Sequence, residues 1–266
     1  MKKIIVAFLI LCCAFAAFAS GSTESASNKI TVGATPEPHA EMLKLVVDNM
    51  AEQGYELVIK EFTDYVTPNT ALEDGEIDAN FFQHIPYMNS FNTEHGYHLV
   101  NAGGIHIEPL ALYSNKIKDV KALADGATIA IPNDPTNEGR ALLLLASAGL
   151  ITLKDASNLE STPMDIVSNP KGLKFKEIEA ASLPRVLSDV DAAVINGNYA
   201  IPAGLNAAKD GLVVEGADSP YVNIITVKSG NENNAGIKAL VKCLQSQEIK
   251  DWVTSKYVNG EVVLVF

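Results

Sequence analysis

From Lys29 onward, short apolar runs of β type alternate with longer segments whose apolar residues recur at helical spacing, the pattern of an α/β fold with mostly parallel strands. Residues 30–34 (ITVGA) read as the first strand and Pro36 and Pro38 as a turn. Residues 40–53 then read as a helix carrying Leu43, Val46, Val47 and Met50 on one face, with Gly54 as its stop. Residues 55–62 are the next strand, 68–74 a short helix before Gly75, and 78–82 a third strand. Residues 105–114 (IHIEPLALYS) read as one long strand interrupted at Pro109, of the kind that crosses between lobes. A strand at 128–131, an apolar helix at 140–148 and a strand at 192–195 follow, and 221–227 (YVNIITV) offers a second crossing. The helices at 235–245 and 247–257 then pack back on the first lobe, with 262–266 as a terminal strand. Two crossings predict two lobes around a hinged cleft: 29–110 and 225–266 in the first, 111–224 in the second.

The first residues change the picture of where this fold begins. Met1, Lys2 and Lys3 precede an apolar run from Ile4 to Phe18, too short for the roughly 20 residues of a membrane span but of secretory length. Ala17-Phe18-Ala19 before Ser20 predicts a signal peptide at 1–19 cut after Ala19, and the small, polar stretch 20–28 predicts a flexible tether. Lipid attachment at Cys12 or Cys13 is the alternative; against it, Leu11 stands where a small residue is wanted. Either route predicts an exported protein, in the periplasm or on the outer face of the cytoplasmic membrane. Beyond the leader only Cys243 remains, so no intrachain disulfide is expected. Loss of Lys2 and Lys3 takes the formal charge from -12 to -14, which disfavours nucleic acid or an anionic bilayer as partner. The ligand should be small.

Candidate chemistry gathers at strand ends. Residues 78–87 (DANFFQHIPY) close a strand in an aromatic and polar turn that places Phe82, His84 and Tyr87 beyond its carboxyl end, with Tyr65 as a further wall or as packing. Alternation allows one of Phe81 and Phe82, not both, to point into the core. In residues 131–140 (IPNDPTNEGR), Asp134 and Pro135 open a helix and Arg140 offers a planar fork for a carboxylate; a surface pairing with Glu138 or Asp134 explains it equally well. Asn196 and Asn223, each at the edge of an apolar run, can serve the two ends of a zwitterion or simply form turns. His95 and His98 lack the spacing of a zinc site, and His39, His84 and His106 are scattered, so a metal-binding role ranks last. No G-x-S-x-G, P-loop or G-x-G-x-x-G occurs; neither an enzyme nor a cofactor is expected.

Five segments together, FTDYVTPN (62–69), DANFFQHIPYM (78–88), PNDPTNEGRALLLL (132–145), INGNYA (195–200) and YVNI (221–224), resemble the methionine-binding proteins of bacterial ABC importers, the NlpA-type lipoprotein family. The resemblance implies a two-lobed periplasmic-binding-protein fold with the ligand in the interlobe cleft. It also implies capture of L-methionine as a monomer, delivery to an ABC permease and its ATPase subunits, and a site of Tyr65, Phe82, His84, Tyr87, Arg140, Asn196 and Asn223. A related ligand such as a methionine-containing dipeptide is the alternative. The family's lipid-bearing cysteine after the signal is not matched, and this leaves anchoring open.

Overall fold

A computed structural model describes residues 28–216 and 219–266. The expected signal peptide at 1–19, and all of the tether but Asn28, lie outside the described residues.

The chain begins in a six-stranded sheet. Strand β1 (Lys29–Ala34) pairs in parallel with β2 (Glu56–Glu61) on one side and β3 (Ala79–His84) on the other. The helix expected over 40–53 is two short ones, α1 (Glu41–Leu45) and α2 (Val47–Glu52). They part at Val46 (φ −98°, ψ 6°), where adjacent β-branched residues, Val46 and Val47, disfavour a continuous turn. Gly54 takes φ 84° just past α2, as a helix stop requires. After α3 (Thr67–Glu73), the helix α4 (Ile85–His95) grows directly from the end of β3, and β4 (Leu99–Ile107) returns along the sheet.

Beyond β4 the run that reads as one interrupted strand divides between two sheets. Pro109 lacks a backbone donor, and β5 (Ala111–Tyr113) starts after it in a five-stranded sheet. That sheet is completed by β6 (Thr128–Pro132), by β9 (Lys174–Ile178), reached through α5 (Pro135–Ser147) and the hairpin β7 (Thr152–Leu153) and β8 (Ile166–Ser168), and by β10 (Ala192–Ile195), which follows α6 (Leu183–Val186). Helices α7 (Gly197–Ala200) and α8 (Ala207–Asp210) lead to its edge strand β11 (Val213–Val214). The chain rejoins the first sheet at β12 (Asn223–Lys228), slightly ahead of the expected boundary, and ends in α9 (Ala235–Leu244), α10 (Gln247–Lys256) and β13 (Val263–Leu264).

The strand orders, β13-β4-β12-β3-β1-β2 and β11-β5-β10-β6-β9, place the two sheets in separate lobes with separate apolar cores. Central strands such as β10 (AAVI) are buried at every position, which is why they read as unbroken apolar runs. Ligand sites in such sheets lie beyond strand carboxyl ends, and here the ends of β3, β6 and β10 carry His84, Asp134 and Asn196 into the space between the lobes.

Candidate functional site

Along β3 the pleat separates the two phenylalanines as alternation requires. Phe81 joins the main core of the first lobe, while Phe82 packs with Tyr87 and Phe91 on the opposite face. The Tyr65 ring lies 5.8 Å from Phe82 and 5.9 Å from Tyr87, and the Tyr87 hydroxyl donates to the Tyr65 carbonyl at 2.8 Å, closing an aromatic wall. His84 caps α4: its Nδ1 accepts the Tyr87 N–H at 3.1 Å. The other nitrogen, Nε2, therefore carries the hydrogen and faces the Asn137 side-chain oxygen across the cleft at 3.2 Å. Burial, with the nearby Arg140 charge, lowers the His84 pKa to about 3, so the ring is a neutral donor.

A relay of amides crosses from α5 to α7. Asp134, the cap of α5, accepts from the backbone N–H of Asn137 at 3.0 Å and from its amide at 2.8 Å. That fixes the Asn137 oxygen outward, where it accepts from Asn196 Nδ2 at 2.7 Å. Asn196 consequently turns its own Oδ1 away, and this buried oxygen has no partner among the described residues. Asn198 is the converse: its oxygen accepts from the Tyr65 hydroxyl at 2.6 Å across the cleft, and its buried Nδ2 is left unpaired. Asn223, at the start of β12, places its oxygen 3.0 Å from His39 Nε2 and so keeps its amide hydrogens for the pocket. Orphaned buried polar groups are costly, and an acceptor beside several donors is the inverse image of a zwitterion.

Arg140 is buried at 4% exposure, which rules out the surface pairing with Glu138 or Asp134. Its partner is Glu215: Nε donates to one carboxylate oxygen at 2.9 Å and Nη2 to the other, while Nη2 also reaches the Glu108 carbonyl at 2.9 Å. The guanidinium carbon stands 4.3 Å above the Tyr221 ring. Two of its three nitrogens are thus engaged, and among the described residues the Nη1 edge remains.

All seven residues named from the sequence border one cavity: Tyr65, Phe82, His84, Tyr87 and Asn223 from the first lobe, Arg140 and Asn196 from the second. Sequence reasoning passed over Glu108, Asn137 and Asn198, which line it as well. It also treated His39 and His106 as scattered. The structure corrects this, because the turn at 36–40 and β4 bring the two rings within 5.0 Å of each other and both against Glu108. Among the described residues, these three are the one group with the composition of a metal site. Their facing atoms pair with each other and with Asn223, while the buried His106 Nδ1 has no partner among the described residues.

The profile of the NlpA lipoprotein family matches residues 30–266. This chain belongs to that family. The methionine-binding lipoprotein MetQ of Bacillus subtilis is 44% identical over all of this chain and 99% of its own length. The D-methionine-binding lipoprotein MetQ of Escherichia coli is 44% identical over 91% of this chain and 90% of its own. A nutrient-binding protein of Burkholderia cenocepacia, solved bound to methionine, superimposes with a TM-score of 0.85 at 45% identity, covering 89% of this chain and 100% of that one. The α/β architecture is therefore the two-lobed fold of periplasmic substrate-binding proteins. Among the described residues no helix is long and apolar enough to cross a membrane.

Proposed function

We propose that this chain is the substrate-binding component of an ABC importer, which captures methionine between its lobes and delivers it to a membrane permease driven by ATPase subunits. The observation that carries the reading is the pairing of the aromatic wall with a set of unmatched polar atoms. The unpaired Asn196 oxygen suits an ammonium group, while Asn198 Nδ2, the Asn223 amide and Arg140 Nη1 suit a carboxylate. Tyr65, Phe82 and Tyr87 offer ring edges to a thioether, worth roughly 0.3 to 1.5 kcal/mol per contact.

Binding without chemistry is the companion proposal. The lining contains no serine, threonine, cysteine or lysine nucleophile, and both nitrogens of His84 are committed, one accepting and one donating. The leader expected at 1–19 from the sequence and the names of the relatives support export, with the chain acting as a monomer outside the cytoplasmic membrane, held there by lipid or free. The test is thermal unfolding of protein stripped of ligand by unfolding and refolding. A hundredfold excess of methionine over Kd should stabilise it by about 2.7 kcal/mol and be recovered chemically unchanged; no shift, or turnover, refutes the reading.

A further inference from the structure

Glu108 lies between β4 and β5, on the segment that leaves the first lobe for the second, and is buried at 6% exposure. One of its oxygens is 2.8 Å from His106 Nε2 and 3.4 Å from His39 Nε2. The tautomers follow from the neighbours. His39 Nδ1 meets the Thr35 hydroxyl at 2.8 Å, and its Nε2 faces only oxygens, those of Asn223 and Glu108, so Nε2 carries the hydrogen. His106 Nδ1 has no partner among the described residues, and its Nε2 faces the same carboxylate.

From the second lobe, the backbone N–H of Asn198 donates to Glu108, and Gly197 closes over it. A Cβ at Gly197 would stand 2.7 Å from both the Glu108 Cβ and its Oε2, so only glycine allows this approach. Burial lowers His39 to about 4 and His106 to about 3, which makes both rings neutral donors rather than counter-charges. Arg140, the cation lining the cavity, is already committed to Glu215 through two nitrogens. Burial raises the Glu108 carboxyl above its ordinary value, and an acid held by neutral donors at the edge of a ligand cavity lacks one thing, a cation from the ligand to hold it ionised.

We propose that Glu108 receives the α-ammonium group of the ligand and that His39 and His106 are positioning residues for its carboxylate, so that the site selects amino acids with a free amino group and rejects N-acylated ones. This rests on the amino-acid reading above and deepens it. The test is calorimetry with L-methionine and N-acetyl-L-methionine on the refolded protein and on Glu108→Gln, His106→Phe and His106→Gln. Wild-type protein should bind the acetylated compound at least about a hundredfold more weakly, because acylation removes the charge and leaves Glu108 without a partner. Glu108→Gln should lose about thirtyfold or more for methionine and narrow the gap between the two ligands. His106→Phe should weaken methionine about tenfold, with His106→Gln, which restores an N–H donor, recovering most of the loss.

A merely structural role would lower both ligands together and leave their ratio unchanged, which overturns the proposal. So does wild-type binding of N-acetylmethionine within tenfold of methionine, a result that stands even if a variant fails to fold. Zinc taken up by the wild type in competition with methionine would make the triad a metal site and equally overturn it. Failure of the wild type to bind either compound counts instead against the methionine reading itself.

Discussion

Arg140→Ala is the most informative single change in the cleft. The sequence suggested two parallel hydrogen bonds from its fork to a ligand carboxylate, but the Nε and Nη2 edge is given to Glu215 and the Glu108 carbonyl. Only Nη1 is left, so the ligand receives one charge-assisted edge. Truncating one partner of a buried charged contact costs about 2 to 5 kcal/mol, and a single edge places this case near about 2 to 3. In Kd that is roughly thirty- to a hundred-and-fiftyfold. Because Glu215 loses its partner too, the fold should weaken by about 2 kcal/mol, less than for a fully buried pair since the Glu215 side chain keeps 16% exposure. Arg140→Lys should recover part of the binding, as one ammonium cannot serve Glu215, the carbonyl and the ligand together. Calorimetry on protein whose circular dichroism matches the wild type decides it. Arg140→Ala within threefold of wild-type affinity would refute the reasoning and send the search for the carboxylate receptor to Asn198 and Asn223.

Tyr65→Phe removes the 2.6 Å hydrogen bond to Asn198 that joins the lobes; it should cost about 1 kcal/mol of methionine affinity by calorimetry, with the ring wall intact. Glu138 is buried with an unpaired oxygen, and burial raises its pKa from 4.5 to about 7. Its contribution to stability is present below pH 4.5 and lost as pH rises through 7, so Glu138→Gln should raise the melting temperature relative to wild type more at pH 8 than at pH 5. His39, His84 and His106 are shifted the other way, to about 4, 3 and 3. Their contribution is intact above pH 6.5 and lost as pH falls toward 4, by up to about 1.4 kcal/mol per unit for each, opposed by the raised carboxyls of Glu108 and Glu138. Urea unfolding should show stability falling from pH 6.5 to 4.5, and His106→Gln should flatten that slope.

The parts legible in the sequence were those governed by local rules. Asp134 and Pro135 announced the start of α5, and alternation along β3 correctly divided Phe81 from Phe82. The helix over 40–53 was overread because its apolar period continues through Val46, where the backbone does not. Long-range pairing was out of reach: the Glu215 partner of Arg140 lies 75 residues away, and nothing local marks it. His39 and His106 were dismissed because sequence separation hides a meeting made by β4 and the turn at 36–40. For Glu108 a signal existed: it is the lone charge in IHIEPLALYS, beside the proline that ends the strand. Asn198 was equally legible, being next but one to Asn196 in the same strand-end segment INGNYA.

The most direct test of the central claim is isothermal calorimetry of L-methionine against the unfolded and refolded protein, with alanine and glutamate as controls. The account predicts saturable binding with one site per chain, and no comparable heat from a side chain lacking a thioether or bearing a charge. Equal binding of the three, or none of methionine, would contradict it.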